Sequence, residues 1–230
     1  MVIHSIKIGI VQVFIVPCTG GYLLVDSGYP GSMPAIKQGL SGIGITLKDV
    51  RYLLLTHNHI DHCGSSAEIR EASGARLIVH KNLVPFITAG DGGLDGAQPV
   101  SVGMRGMMGL LRRLSTASDR FPALIIRESD MIVDETPSDL LRGLGIPSQL
   151  LFTPGHTNNS LTMVFDDGDV ICGDIVFNSP LLQLLGSRYR PILIQDEKLV
   201  KESWLKIRAA GGKRLYPSHG AMLPFEKLKI

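Results

Sequence analysis

Residues 53–64 read LLLTHNHIDHCG: an oily run gives way to three histidines and an aspartate within six positions. Any fold for this chain must accommodate that crowd of lone-pair donors. In an extended segment side chains two apart share a direction. His57 and His59 therefore face the same way as the chain leaves an apolar strand expected over Arg51–Leu55. Asp61 and His62 follow at the turn into a helix and approach the same space from another angle. Imidazole with carboxylate suits zinc, iron or manganese better than calcium, which takes all-oxygen shells. Four ligands this close in sequence strain the geometry of a single ion. Two neighbouring ions relieve the strain, one taking His57 and His59 and the other Asp61 and His62, and each then needs partners from elsewhere.

The rest of the chain offers three. His156 sits in FTPGHT, Asp174 in VICGDIVF and His219 in YPSHG, each at a loop just after an apolar strand. Taken singly, each is an ordinary hydrogen-bonded histidine or turn acid; the 57–62 cluster is what recruits them. Five of the seven histidines are then accounted for. A closed structural zinc site is usually rich in cysteine, and none of these seven residues carries sulfur, so a reactive centre is the better reading.

The pattern of elements says what kind of scaffold carries them. Short, β-branched strands are expected at Val11–Val16, Gly21–Val25, Arg51–Leu55, Arg76–Val79, Ser148–Phe152, Leu161–Phe165 and Val170–Cys172. Helical spacing appears over Ser32–Leu40, Asp61–Ala72 and Glu197–Ala209. Strands outnumber helices, and helices occur both early and late. Sheets packed on one another with helices over their outer faces satisfy that order. No repeat or linker divides residues 1–230, so one domain is expected. With 44% hydrophobic and 19% charged residues a substantial core can form.

The formal net charge of +2 is scattered, with Arg112-Arg113 its densest spot, which argues against a nucleic-acid partner. Three cysteines at unrelated spacings suggest no disulfide framework and fit a reducing cytoplasm. The apolar run Ile8–Pro17 is far shorter than the roughly 20 residues of a membrane helix and contains Gln12, so no membrane association is expected. Residues 86–122 stand apart: GDGGLDG, then the Met-rich MRGMMGLLRRL, then PALII. A lid-like insertion over a substrate site and a surface for core or homodimer packing are the two readings of that stretch.

With these residues in view, the chain resembles the metallo-β-lactamase superfamily. The HxHxDH signature is His57-Asn58-His59-Ile60-Asp61-His62, and LLVDSG (23–28), TPGHT (153–157), CGD (172–174) and SHG (218–220) match in order over essentially the whole chain. The resemblance implies an α+β fold, a four-layer αββα sandwich, with a dinuclear site at one edge. It implies that His57, His59 and His156 bind one divalent ion and that Asp61, His62 and His219 bind the other. Asp174 would bridge the two, and Asp26 would support the loops. Zinc is the first candidate, with iron or manganese as alternatives. The implied chemistry is hydrolysis of an ester, thioester or lactone of a small-molecule substrate by a hydroxide bridging the ions, with Asp61 aiming it.

Departures from the family's patterns narrow this. β-Lactamases of the superfamily generally carry Cys or Ser where this chain has Asp174, so antibiotic hydrolysis is not the expected role. Glyoxalase II and the acyl-homoserine lactonases keep the bridging Asp. Many such lactonases place a tyrosine three positions beyond it, where Phe177 stands here, and no basic cluster resembles a glutathione-binding set. The usual PGHTPGS reads PGHTNNS, which places Asn158 and Asn159 at the expected pocket edge. Tyr29 and Tyr189 are candidates by type for protonating the leaving group, and Cys63 reads as a small buried filler. The resemblance leaves three other roles open: a small-molecule phosphodiesterase, an iron-dependent sulfur oxygenase and a metal-retaining regulatory member.

Overall fold

The computed structural model describes residues 2–94, 96–114, 118–135 and 139–230, with the side chains of 111–114 outside the description. The Arg112-Arg113 side chains and part of the Gly-rich and Met-rich stretch therefore lie outside the described residues.

Two sheets form the centre. The first has six strands in spatial order His4–Ile8, Val11–Cys18, Gly21–Val25, Val50–Leu54, Arg76–His80 and Met131–Val133. The second has five, in order Leu223–Pro224, Arg214–Tyr216, Asp169–Ile171, Leu161–Phe165 and Ser148–Phe152. Alternation within single strands explains how they stack, because successive side chains leave opposite faces. Phe14, Val16, Leu23, Val25, Leu54 and Ile78 point inwards and meet Leu150, Leu161, Met163, Phe165 and Ile171 of the second sheet. Their neighbours Val13, Ile15, Leu24, Leu53 and Leu77 point outwards and are covered by Ile36 and Leu40 of the helix Met33–Gly42 and Ile69 of the helix Ser66–Ser73. Leu151, Val164, Val170 and Leu215 on the far face of the second sheet pack against Val200, Trp204 and Ile207 of the helix Glu197–Ala209. Three apolar layers separate four layers of secondary structure, so the expected αββα sandwich is the observed fold.

Local chemistry sets several boundaries. Pro34 occupies the first turn of Met33–Gly42, where its missing N–H has no role. Asp196 caps Glu197–Ala209 by accepting the Leu199 N–H at 3.1 Å. The expected helix over Asp61–Ala72 is instead two pieces, Ile60–Cys63 and Ser66–Ser73. The Gly64 N–H donates to the Gly28 carbonyl at 2.9 Å rather than to its own helix, so the ladder breaks there. The strand His4–Ile8 is absent from the expectation; HSIKI buries only Ile6 and Ile8 and looks polar along its length. The Met-rich stretch forms a helix over Val102–Leu114.

Strand direction places the loops. Val50–Leu54 runs parallel to Gly21–Val25, and Asp169–Ile171 runs parallel to Arg214–Tyr216. Ser148–Phe152 points the same way through two antiparallel steps. The carboxyl ends of these strands therefore share one rim of the sandwich, and Asp26, His57, His156, Asp174 and His219 all come after them. Among the described residues, no helix is long and apolar enough to cross a membrane.

Candidate metal centre

All seven residues singled out in the sequence converge at this rim. Ligand-type atoms of His57, His59, His156 and Asp174 form one group, and those of Asp61, His62 and His219 form another, with the atoms of each group within 4.8 Å of one another. In the first, His57 Nε2, His59 Nδ1 and His156 Nε2 make a triangle with sides of 3.1, 3.2 and 3.0 Å. In the second, His219 Nε2 lies 3.1 Å and His62 Nε2 3.7 Å from Asp61 Oδ2. Asp174 stands between the groups. Its Oδ2 is 3.8 Å from His57 Nε2, 3.6 Å from His156 Nε2 and 3.5 Å from His219 Nε2, while its Oδ1 is 3.4 Å from His62 Nε2.

The surrounding hydrogen bonds decide which ring nitrogen each imidazole presents. His57 Nδ1–H donates to Thr56 Oγ1 at 3.0 Å, and that hydroxyl in turn donates to Asp26 Oδ2. His62 Nδ1–H donates to Asp26 Oδ2 at 2.7 Å, His156 Nδ1–H to the Leu193 carbonyl at 2.7 Å and His219 Nδ1–H to the Ile10 carbonyl at 3.2 Å. Four imidazoles are thereby oriented with Nε2 facing the centre, the orientation metal-ligating histidines adopt when the other nitrogen has an acceptor.

This arrangement fits a metal. Three imidazole nitrogens at 3.0–3.2 Å cannot all hydrogen-bond one another around a triangle when two have already spent their protons elsewhere. The sides come close to the edge of about 3.3–3.4 Å in a tetrahedron with bonds of about 2.0–2.1 Å. His62 Nε2 and Asp174 Oδ1 are buried with no hydrogen-bond partner. Leaving such groups bare is costly unless a cation satisfies them.

Charge divides along the same line. Burial, reinforced by the neighbouring imidazoles, holds His57 well below the usual histidine value, and burial with His156 takes His59 down to about 3. His62 and His219 go the other way: burial opposes their charging, but Asp174 and Asp61 outweigh it and raise both. Burial works against ionising Asp61 and Asp174 too, yet the surrounding histidines hold both carboxyls below their ordinary range.

Further residues brace the cluster. Asp26 has φ 64° and is fully buried, and its carboxylate accepts from the Thr56 N–H, the Thr56 hydroxyl and His62. Sequence reasoning missed Gln12, whose Nε2 donates to the Gly220 carbonyl at 2.6 Å. The Gln12 N–H donates to the Ser218 carbonyl at 2.8 Å, so the loop bearing His219 is clamped. Asn159 corrects an expectation: it is fully buried and braces Asn58 through both N–H···O directions, at 3.2 and 3.1 Å, instead of lining a pocket edge. The Asn158 carbonyl accepts from Asn82 Nδ2 at the surface. Gly155 and Gly220, beside His156 and His219, have φ 132° and 108°, and a Cβ at either would strike the backbone of Val200 or Asn178. Only a glycine side chain admits these close approaches. Cys63 is a buried filler whose thiol donates to the His57 carbonyl and is pushed up by burial.

A cavity of about 820 Å³ opens from the cluster, with Tyr29, Phe177 and residues of the 86–122 stretch (Gly92, Leu94, Met107 and Asp119) in its walls. Phe177 stacks on His219, with centroids 4.7 Å apart and planes 7° from parallel. Tyr189 does not line this cavity and packs on the helix-covered outer core of the second sheet.

Imidazoles and carboxylates gathered without sulfur at the strand ends of an αββα sandwich define a divalent-metal hydrolase. The chain belongs to the metallo-β-lactamase superfamily, whose family model matches residues 8–219. It is 28% identical to the probable metallo-hydrolase YflN of Bacillus subtilis over 95% of this chain and 83% of the relative. It is 30% identical to the probable metallo-hydrolase YqgX of the same organism, over 77% and 73%. A hydroxyacylglutathione hydrolase of Bradyrhizobium is 26% identical over 88% of this chain, which spans 59% of that relative's length. Among solved structures, Rm3 metallo-beta-lactamase superposes with a TM-score of 0.64 at 22% identity, over 94% of this chain and 75% of that one, and shares the fold.

Proposed function

We propose that this chain is a dinuclear metallo-hydrolase that cleaves an ester, thioester or lactone of a small molecule, with zinc as the first candidate metal. The observation that supports this reading is the position of Asp174, whose carboxylate reaches both histidine groups: Oδ2 lies 3.5–3.8 Å from the Nε2 atoms of His57, His156 and His219, and Oδ1 lies 3.4 Å from His62 Nε2. A carboxylate placed in this way could serve ions bound at both groups. In this reading His57, His59 and His156 hold one ion, and Asp61, His62 and His219 hold the other. When bound, such ions supply Lewis acidity at a carbonyl oxygen and bring the pKa of a coordinated water towards neutrality.

The chain's own groups do the rest. The fixed Nδ1–H bonds keep the imidazoles oriented through turnover. Asp61 would help to hold the second ion and, from the same position, would orient an attacking water. Tyr29 lines the cavity beside Asp61 and Asp174, and burial together with those two charges pushes its phenol up to about 12. It therefore stays protonated at neutral pH and offers a donor to the carbonyl or the leaving atom. Gly92, Leu94, Met107 and Asp119 wall the cavity, which supports the reading of the described part of the 86–122 stretch as a lid. The hydroxyacylglutathione hydrolase relatives support the thioester arm of the reading.

Metal content and hydrolysis of aryl esters, acyl thioesters and lactones, measured side by side for the native chain and Asp61→Ala, test this. The expected result is two ions per native chain and a loss of about a hundredfold or more in the variant. Full activity in Asp61→Ala would remove the mechanism.

A further inference from the structure

We propose that the cavity beside the cluster is an acyl-chain site, and that the preferred substrates carry an unbranched aliphatic acyl group rather than a charged or peptidic one. This rests on the hydrolase reading above and names its substrate class. The cavity's 820 Å³ lies towards the upper end of the roughly 300–1,000 Å³ of small-molecule sites. One end is the cluster itself, with His59, Asp61, His156, Asp174 and His219 in its wall. Phe177 and Leu193 lie against the cluster, and the rest of the wall is mostly apolar, with Ile10, Leu94, Met107, Leu181, Leu182 and Ile192.

The charges in the lining decide between ligand types. Beyond the cluster, the charged lining residues among those described are Lys7 and Asp119, one of each sign. A peptidic thioester bearing several carboxylates and an ammonium would find one lysine and one aspartate to pair with and would set its remaining charge against leucines, at a cost in free energy. An alkyl chain leaves nothing unsatisfied. The apolar surface also continues outwards. Leu181, at 60% exposure, and Ile10, at 72%, line the cavity and reach solvent, so a long chain finds apolar contact as far as the mouth. With a carbonyl placed at the cluster, the alkyl tail lies along these walls.

The test uses the full chain loaded with zinc and a series of straight-chain acyl thioesters from two to twelve carbons. Alongside it, calorimetric titration with butyrate, hexanoate, octanoate and decanoate measures binding without turnover. Burial of each methylene is expected to raise kcat/KM and alkanoate affinity by about two- to fourfold up to ten carbons. Leu182→Asp, checked for folding by circular dichroism, is expected to flatten both series. Thioester hydrolysis that is flat or falls with chain length overturns the acyl site while leaving the hydrolase reading intact. Absence of any turnover at full metal occupancy sinks the hydrolase reading. In that case, alkanoate affinity that rises with length still supports the acyl site, and affinity independent of length overturns it.

Discussion

Asp26 Oδ2 and His62 Nδ1 lie 2.7 Å apart, both fully buried, on segments 36 residues distant in sequence. The carboxylate satisfies three donors at once: the Thr56 N–H, the Thr56 hydroxyl and the His62 ring. Asp26→Asn keeps the shape and tolerates the positive φ. Its amide, however, replaces one acceptor with a donor, so the three partners cannot all be served. Metal affinity is expected to fall by about 10- to 100-fold, read by competition with a chromophoric chelator. Unchanged affinity would show that the brace is dispensable.

Metal uptake carries a pH signature. His57 and His59 sit below the ordinary histidine value in the metal-free chain and are neutral at pH 7, so they accept an ion without giving up protons. His62 and His219 are raised by Asp174 and Asp61 against the effect of burial, so the second group binds protons more readily than the first. Filling the second group must therefore release protons, and its affinity is expected to rise with pH while that of the first group changes little. The same sign makes the metal-free fold less stable as pH rises through those raised values. Calorimetry in buffers of different ionisation enthalpy counts the protons; equal release in both phases would contradict the assignment.

Tyr29→Phe removes a hydroxyl and leaves every candidate ligand in place. Metal content is expected to be unchanged and kcat to fall by about a hundredfold. A variant with native kcat would show that the donor comes from elsewhere.

Arg70 is 2% exposed and donates through Nη2 to Asp130 at 2.6 Å, and the same carboxylate accepts the Leu77 and Arg127 N–H groups. Arg70→Ala leaves that carboxylate buried without its cation and is expected to destabilise the fold by about 3–5 kcal/mol, measured by urea denaturation. A loss below about 1 kcal/mol would mean that water replaces the guanidinium.

The rim of ligands was legible because each lies where an apolar run stops, and a buried strand leaves little freedom for the next few residues. Leu53–Leu55 before His57 and Val170–Cys172 before Asp174 show the pattern directly. The supports were harder to see. Gln12 carries no local signal, since its partners lie 205 and 208 residues away. Asn159 sits where a variable pocket residue was expected, and only the three-dimensional fold brings Asn58 against it. The break at Gly64 was hidden for a similar reason: the competing acceptor, the Gly28 carbonyl, comes from a distant turn.

The grip of the first hairpin on the His219 loop has a consequence for biosynthesis. Ile10 and Gln12 leave the ribosome well before their partners at 217–220, which lie 205–209 residues further along the chain. Closing so long a loop adds little equilibrium cost, but it orders events. Half of the cluster can assemble on a nascent polypeptide, while the other half waits for translation to pass His219. A shortened product that stops before that codon lacks one of the three ligand-type side chains of the second group.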